Sequence, residues 1–381
     1  MSQLIYLDNN STTPVDPAVF EAMKPYFTEI CGNPSNQHHA AGSRAARAVE
    51  KARSDVAAAI GAESASIVFT SGATESNNLA ILGTCRAIPS PAGHIVTSAI
   101  EHKAVLEPCR HLESIGWRVT YLRPDCHGMV DWQAVDAAIT SDTVLVSIMA
   151  ANNEVGTIQE VERIGQVCAR RGVVFHCDAA QALGRMSVNV EDWQVDLLSL
   201  SGHKAYGPKG AGALYIREKR KAEIMVPLCF GGGQEAAVRP GTLPVQNIVG
   251  LGTACLLASK QLADDVHRLR TFRRDLLERL ATLCPDLVVH GHPDHSIPGL
   301  LSVAFPGVDG DQFLFALRDV AISQGSACAS GSPEPSHVLT ALGVGYEMAR
   351  SSFRFGIGRF TTPDEIDAAA IEVARVLAIL R

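Results

Sequence analysis

The chain has 381 residues, 46% of them hydrophobic and 19% charged, which is enough to bury a large core and to build two lobes. Its formal net charge of -7 supplies no general attraction to nucleic acid or anionic lipid. Met1 to Asn10 has no basic segment followed by an apolar core, and nowhere do 18 apolar residues run together, so a cytoplasmic protein with no membrane partner is expected.

Along the chain, short runs rich in β-branched residues end in small or polar ones: Ile67 to Thr70, His94 to Ser98, Arg118 to Leu122, Thr143 to Met149, Val173 to Asp178, Asp196 to Ser201 and Ala211 to Ile216. Stretches long enough for helical crossovers separate many of them, which predicts an α/β domain with a mostly parallel sheet. Ligands of such sheets sit beyond the carboxyl ends of the strands. From Gly42 to Ile60, Val49, Val56 and Ile60 share one helical face, and Gly61 follows as the stop signal. After about Cys255 the pattern changes. Leu269, Phe272, Leu276 and Leu280 mark a helix, Leu300 to Phe305 and Ser352 to Ile357 read as strands, and Thr362, Pro363 and Glu365 open a last helix with a capping box. This predicts a second, smaller α+β lobe joined by the N-terminal arm.

Three sites just beyond strands carry chemistry. Thr70 to Asn78, with Ala73 and Thr74 at its centre, offers hydroxyls, backbone N–H groups and a helix start, which suit a phosphate dianion but also make an ordinary N-cap. Asp178 ends a buried strand, where a carboxylate needs a cation such as a protonated pyridine nitrogen, or else caps the next helix. Lys204 follows the next strand, 26 residues on. A lysine held in a cleft loses its proton and bonds to an aldehyde, although most lysines are merely solvated. Gly207-Pro208-Lys209-Gly210 lacks the spacing of a P-loop.

Asp178-Ala179-Ala180-Gln181 followed by Ser201-Gly202-His203-Lys204-Ala205-Tyr206-Gly207-Pro208-Lys209-Gly210 resembles the cysteine desulfurases among the fold-type-I pyridoxal-phosphate enzymes. The likeness extends through Tyr6 to Asn10, Gly32 to Ser35, Glu101-His102-Lys103, Asn152-Asn153-Glu154, Gly231 to Glu235, Arg239 to Thr242, Gly325 to Cys328 and Arg354-Phe355. Ser11 and Asn36 depart from the usual pattern without touching a chemical role.

The resemblance implies a large cofactor-binding domain over residues 15–255 with a mostly parallel seven-stranded sheet, and a small α+β domain formed by 1–14 and 256–381. It implies that Lys204 holds pyridoxal 5'-phosphate covalently and moves the Cα proton, that Asp178 pairs with the pyridine nitrogen, that Gln181 meets the phenolic oxygen and that His102 stacks on the ring. Ala73, Thr74, Ser201 and His203 would hold the phosphate, with Thr242 reaching in from the neighbouring subunit of a homodimer. Asn153 and Arg354 would clamp the carboxylate of L-cysteine. Arg350 and Arg359 are the nearby arginines that could be mistaken for Arg354.

Ten cysteines are scattered without a C-x-x-C pair, and Cys328 differs from the other nine because Gly325, Ser326, Ala327, Ala329, Ser330 and Gly331 surround it with small residues. In a loop able to move, its thiolate can attack the substrate sulfur, leave L-alanine and carry a persulfide to an acceptor protein such as an iron–sulfur scaffold. The segment through Pro335-Ser336-His337 resembles the longer active-site loop of the housekeeping desulfurases. His290 to His295 superficially suggests a metal site, but its Gly and Pro mark a turn, and no metal is expected. A selenocysteine lyase or a cystine lyase on the same fold is the alternative reading. A catalytically silent sulfur-transfer scaffold is the reading from another class, and the complete set of Lys204, Asp178 and Cys328 argues against it.

Overall fold

The computed structural model describes residues 4–88, 92–218, 224–325 and 335–381. A short strand, β1 (Ile5–Tyr6), opens the chain. Seven strands follow: β2 (Ile67–Thr70), β3 (His94–Ser98), β4 (Arg118–Leu122), β5 (Thr143–Ser147), β6 (Val174–Asp178), β7 (Leu197–Ser201) and β8 (Gly212–Ile216). They form one sheet in the order β2-β8-β7-β6-β5-β3-β4. Within it β8 runs antiparallel to both neighbours, and the other pairings are parallel. The carboxyl ends of β2, β3, β5, β6 and β7 therefore open on the same edge. All but β4 of these strands are largely buried along their length, as a sheet covered on both faces requires.

One face is covered by the helix Ala40–Ala59, whose Val49, Ala52 and Val56 join the core with Phe69, Phe175 and Leu198. Just past its end, Gly61 takes a φ of +67°, the left-handed turn that a glycine accepts without strain. The helices Ala73–Ala87 and Lys103–Ser114 cover the other face, packing Leu79, Ile81 and Val105 against Ile95, Leu145 and Leu197.

The helix read from Leu269, Phe272, Leu276 and Leu280 begins much earlier. It is a single 39-residue element, Val245–Leu283, and residue 255 lies inside it. Val245, Ile248, Leu251, Cys255 and Ala258 form the buried stripe of its first turns, interrupted by Gly250 and Gly252, residues of low helix propensity that close packing selects there. A Cβ added at Gly252 would lie 2.6 Å from Ala52 Cα, so the two helices touch backbone to backbone.

Beyond this helix, β9 (Val288–His290), β10 (Leu300–Ala304) and β12 (Ser352–Gly356) form an antiparallel sheet in the order β12-β10-β9. β11 (Val320–Ala321) pairs in parallel with β1, and Asp8 bridges to Gly356, so the N-terminal arm is stitched into this second unit. The last helix, Pro363–Leu380, starts with the expected capping box of Thr362 and Glu365. Its Ile366, Ala370, Val373 and Leu377 pack with Leu276, Leu301, Phe353 and Phe355 in a separate core. Alternation along β12 buries Phe353 and Phe355 in that core and turns Arg354 to the opposite face.

Candidate active site

Where the carboxyl edge of the large sheet meets the N-terminal arm and β12, a cavity of about 400 Å³ opens. It is lined by Ala73, Thr74, His102, Asn153, Asp178, Gln181, Ser201, His203, Lys204 and Arg354. The fold thus gathers ten residues singled out in the sequence from six separate segments. Thr242 is exposed and lies outside the cavity of its own chain. Cys328 lies outside the described residues.

Asp178 sits at the end of β6 and is 6% exposed. Ala180 N–H donates to its Oδ1 at 3.0 Å and Asn77 Nδ2 donates to its Oδ2 at 2.6 Å. Both donors are neutral, and among the described residues no cationic side chain pairs with Asp178. The nearby imidazole of His176 is no substitute. It is wholly buried between Ser147 Oγ at 2.8 Å and Ser199 Oγ at 3.0 Å, and burial pushes its pKa down to about 4. The pocket therefore holds a buried carboxylate aimed at a position where a cation is wanted.

Lys204 ends a short 3-10 turn after β7. Its Nζ donates to the backbone oxygens of Asn10 at 2.6 Å and Ser11 at 2.7 Å. The same arm straps the turn in place. Thr13 N–H donates to His203 O at 2.9 Å, and Tyr206 N–H donates to Thr13 Oγ1 at 2.9 Å. Tyr206 takes a φ of +62°, and the Arg359 guanidinium stacks 4.3 Å from its ring centroid. That conformation costs on the order of 1 kcal/mol in a non-glycine residue, so the lysine turn is held by its surroundings.

His102 is the N-cap of the helix Lys103–Ser114, with Nδ1 accepting from Ala104 N–H at 3.1 Å. The neutral ring then carries its proton on Nε2. Burial lowers its pKa, with the attraction of Asp178 opposing and the charge of Lys204 assisting. At the opposite wall, the helix Ala73–Ala87 begins at Gly72 with no side-chain cap, leaving its first N–H groups and its dipole to face an anion. Thr74, Ser201 and His203 border this helix start in the cavity. Burial, reinforced by the charges of Lys204, Lys209 and Arg185, pushes His203 down to a pKa of about 4.

Arg354 is 2% exposed. Its Nη1 donates to Asn153 O and its Nη2 to Asp8 Oδ1, each at 2.8 Å, while its buried Nε has no partner. The two rival arginines are engaged elsewhere, Arg350 with Asp311 and Arg359 with Asp16 and Asp265. Sequence reasoning gave no role of their own to Asn77 and Asn10, which lie in segments it singled out, and it passed over Arg185. Asn77 had a usable signal: it stands three residues after Thr74, one turn into the helix that would face Asp178. His292 spends its Nδ1 on the backbone N–H groups of Asp294 and His295, and among the described residues no group of three or more His, Cys, Asp or Glu could hold a metal ion.

The family model of class-V aminotransferases matches residues 5–369. The cysteine desulfurase IscS of Rickettsia bellii (strain OSU 85-389) is 48% identical over 96% of this chain and 89% of its own. The chain belongs to the class-V aminotransferase family, among the cysteine desulfurases. A solved NifS-like protein superposes with a TM-score of 0.92 at 35% identity, covering all of both chains. A structure described as SspA in complex with cysteine gives 0.80 at 40% identity, covering 94% of this chain and 99% of that one. Cysteine desulfurases of this family depend on pyridoxal 5'-phosphate, and the residues here fit it. Among the described residues no cationic side chain pairs with Asp178, the helix start at Gly72 has no side-chain cap, and Lys204 lines the same cavity. Among the described residues no helix is long and apolar enough to cross a membrane.

Proposed function

We propose that this desulfurase takes sulfur from L-cysteine, releases L-alanine and carries the sulfur as a persulfide on Cys328 to an acceptor protein such as an iron–sulfur scaffold. Atoms balance without a further reductant: the C–S bond breaks, one S–S bond forms, and the thiol proton of cysteine or Cys328 ends on carbon. Bound pyridoxal phosphate supplies an electron sink for the pair at the substrate's Cα. Asp178 holds the pyridine nitrogen, and Asn77 and Ala180 fix the carboxylate that does so. Ala73, Thr74, Ser201 and His203 hold the phosphate at the helix start. Lys204 anchors the cofactor and then moves the Cα proton. In that second role its ammonium form has a resting place on the Asn10 and Ser11 carbonyls. His102, with Nδ1 accepting from Ala104 N–H, would offer Nε2–H to the bound cofactor or substrate in the cavity it lines. Arg354 and Asn153, which line the cavity, bind the substrate carboxylate.

The nine described cysteines support the choice of Cys328 by elimination. Six are buried, where burial raises the thiol pKa and suppresses the thiolate, and the exposed Cys31, Cys126 and Cys229 do not line the cavity. Thr242, outside its own cavity, is assigned to the partner's site in a homodimer. The protein is assigned to the cytoplasm, with residues 15–255 as the cofactor lobe and 1–14 with 256–381 as the sulfur-carrying lobe. The gathering of Lys204, Asp178, His102 and Arg354 in one cavity carries this reading. Cys328→Ser tests it: cofactor binding should persist while alanine formation from cysteine falls by orders of magnitude. Near-normal alanine formation by Cys328→Ser overturns the persulfide route and favours direct elimination, as in a selenocysteine or cystine lyase.

A further inference from the structure

Arg185 is a buried cation with no anionic partner among the described residues. It is 8% exposed. Its Nη1 donates to Gln181 Oε1, its Nη2 donates to Asn9 O at 2.9 Å, and among the described residues no carboxylate pairs with it. Burial is the main influence pushing its pKa down, to about 10, with Tyr206 opposing and Arg354 assisting. It therefore stays charged near neutral pH. The titratable and charged groups around it are Tyr206 and His203 from the lysine turn and Arg354 from β12. Asp178, His102, Lys204 and Lys209 face the cavity beyond them. A desolvated cation with no carboxylate partner among the described residues costs several kcal/mol.

Its contact with Gln181 has a directional consequence. A guanidinium has donors and no acceptor, so the glutamine atom against it must be the oxygen. Asn10 Nδ2 donates to that same oxygen at 3.3 Å, and Gln181 Nε2 donates to Asn10 O at 2.9 Å. The amide oxygen is thus committed, and the remaining unspent hydrogen of Gln181, which lines the cavity, belongs to Nε2. Turned the other way, the amide would set N–H against N–H at Arg185.

We propose that Arg185 is a positioning residue for the cofactor: it locks Gln181 with its N–H toward the cavity and puts a permanent positive charge behind it, so that the site selects the anionic form of the phenolic oxygen. This rests on the pyridoxal-phosphate reading above. A nearby cation favours whichever protonation state is less positive. The pH transition of the holoenzyme's visible absorption, which reports proton loss at the cofactor, therefore lies lower than it would without Arg185.

The test is a pH titration of visible absorbance on wild type, Arg185→Lys, Arg185→Gln and Arg185→Met, with cofactor content measured separately after alkaline release. Arg185→Gln and Arg185→Met should raise the transition by about one pH unit, and Arg185→Lys, which keeps the charge, should stay close to wild type. An unchanged or lowered transition in the neutral variants at full cofactor content overturns the proposal, as does a rise in Arg185→Lys equal to that in Arg185→Gln. If the neutral variants do not hold cofactor, Gln181→Glu, which neutralises Arg185 in place, should raise the transition instead, and a wild-type value there overturns the proposal. Wild-type protein that takes up no pyridoxal phosphate overturns the parent reading itself, an outcome the cofactor assay separates from the others.

Discussion

Replacing Arg354 with lysine isolates the fork of the guanidinium from its charge. The arginine makes two 2.8 Å contacts, to Asn153 O and Asp8 Oδ1, and is 2% exposed where it lines the cavity. An ammonium cannot span Asp8 and Asn153 and still present a donor to the substrate, so one charge-assisted hydrogen bond to the cysteine carboxylate is lost. At about 1.5–3 kcal/mol for such a bond, and about 1.4 kcal/mol per factor of ten, kcat/KM should fall roughly 10- to 150-fold. The contact exists in the ground state as well as the transition state, so most of the loss should appear in KM. Initial rates of alanine formation across a range of cysteine concentrations measure both parameters, with cofactor content checked by visible absorbance. A kcat/KM within about threefold of wild type at full cofactor content would refute the assignment of Arg354 to the substrate carboxylate.

Two further substitutions probe the buried carboxyls. Asp178→Asn removes the anion while keeping the side chain's shape and one of its two accepting oxygens, so alanine formation should fall by about a hundredfold or more; a rate near wild type would remove Asp178 from the mechanism. Glu101 is fully buried, with Oε1 accepting from Met149 N–H at 2.9 Å and Oε2 without a partner, and burial first, then Asp178, holds its pKa well above the usual carboxylate value. Its folded pKa is raised, so the stability it contributes is complete below the unfolded value near 4.5 and is lost as pH climbs toward the folded one. Glu101→Gln should therefore gain on wild type by up to about 1.4 kcal/mol per pH unit above that point. Urea unfolding at several pH values measures the gain, and a difference that is flat or falls with pH contradicts it.

Most strands of the large sheet were legible because buried strands are written as continuous β-branched runs, and the chemistry stands at or just beyond their carboxyl ends at Thr74, Asp178, Ser201 and Lys204. What the sequence hid was pairing at a distance. Asn77 meets Asp178 across 101 positions and Arg354 meets Asp8 across 346, and no local pattern encodes either. The start of the long helix at Val245 was obscured for a different reason. Gly250, Gly252 and Ala254 are small because Met23 and Ala52 pack against that part of the helix, and two glycines within three residues lower the helix propensity of that stretch even though Val245, Ile248, Leu251 and Cys255 keep the helical spacing. Arg185 gave no sign either, since a lone arginine in a turn reads as a solvated residue until its burial is seen.

The central claim is that sulfur leaves cysteine by way of Cys328, and peptide mass spectrometry reads it directly. Wild-type holoenzyme treated with cysteine in the absence of reductant, then alkylated and digested, should carry one additional sulfur on the peptide containing Cys328 and none on those containing the other nine cysteines. The mark should be absent in Lys204→Ala, which keeps the thiol but loses the residue that anchors the cofactor. Alanine produced with no sulfur on Cys328, or with the sulfur on Cys31, Cys126 or Cys229, would contradict the account.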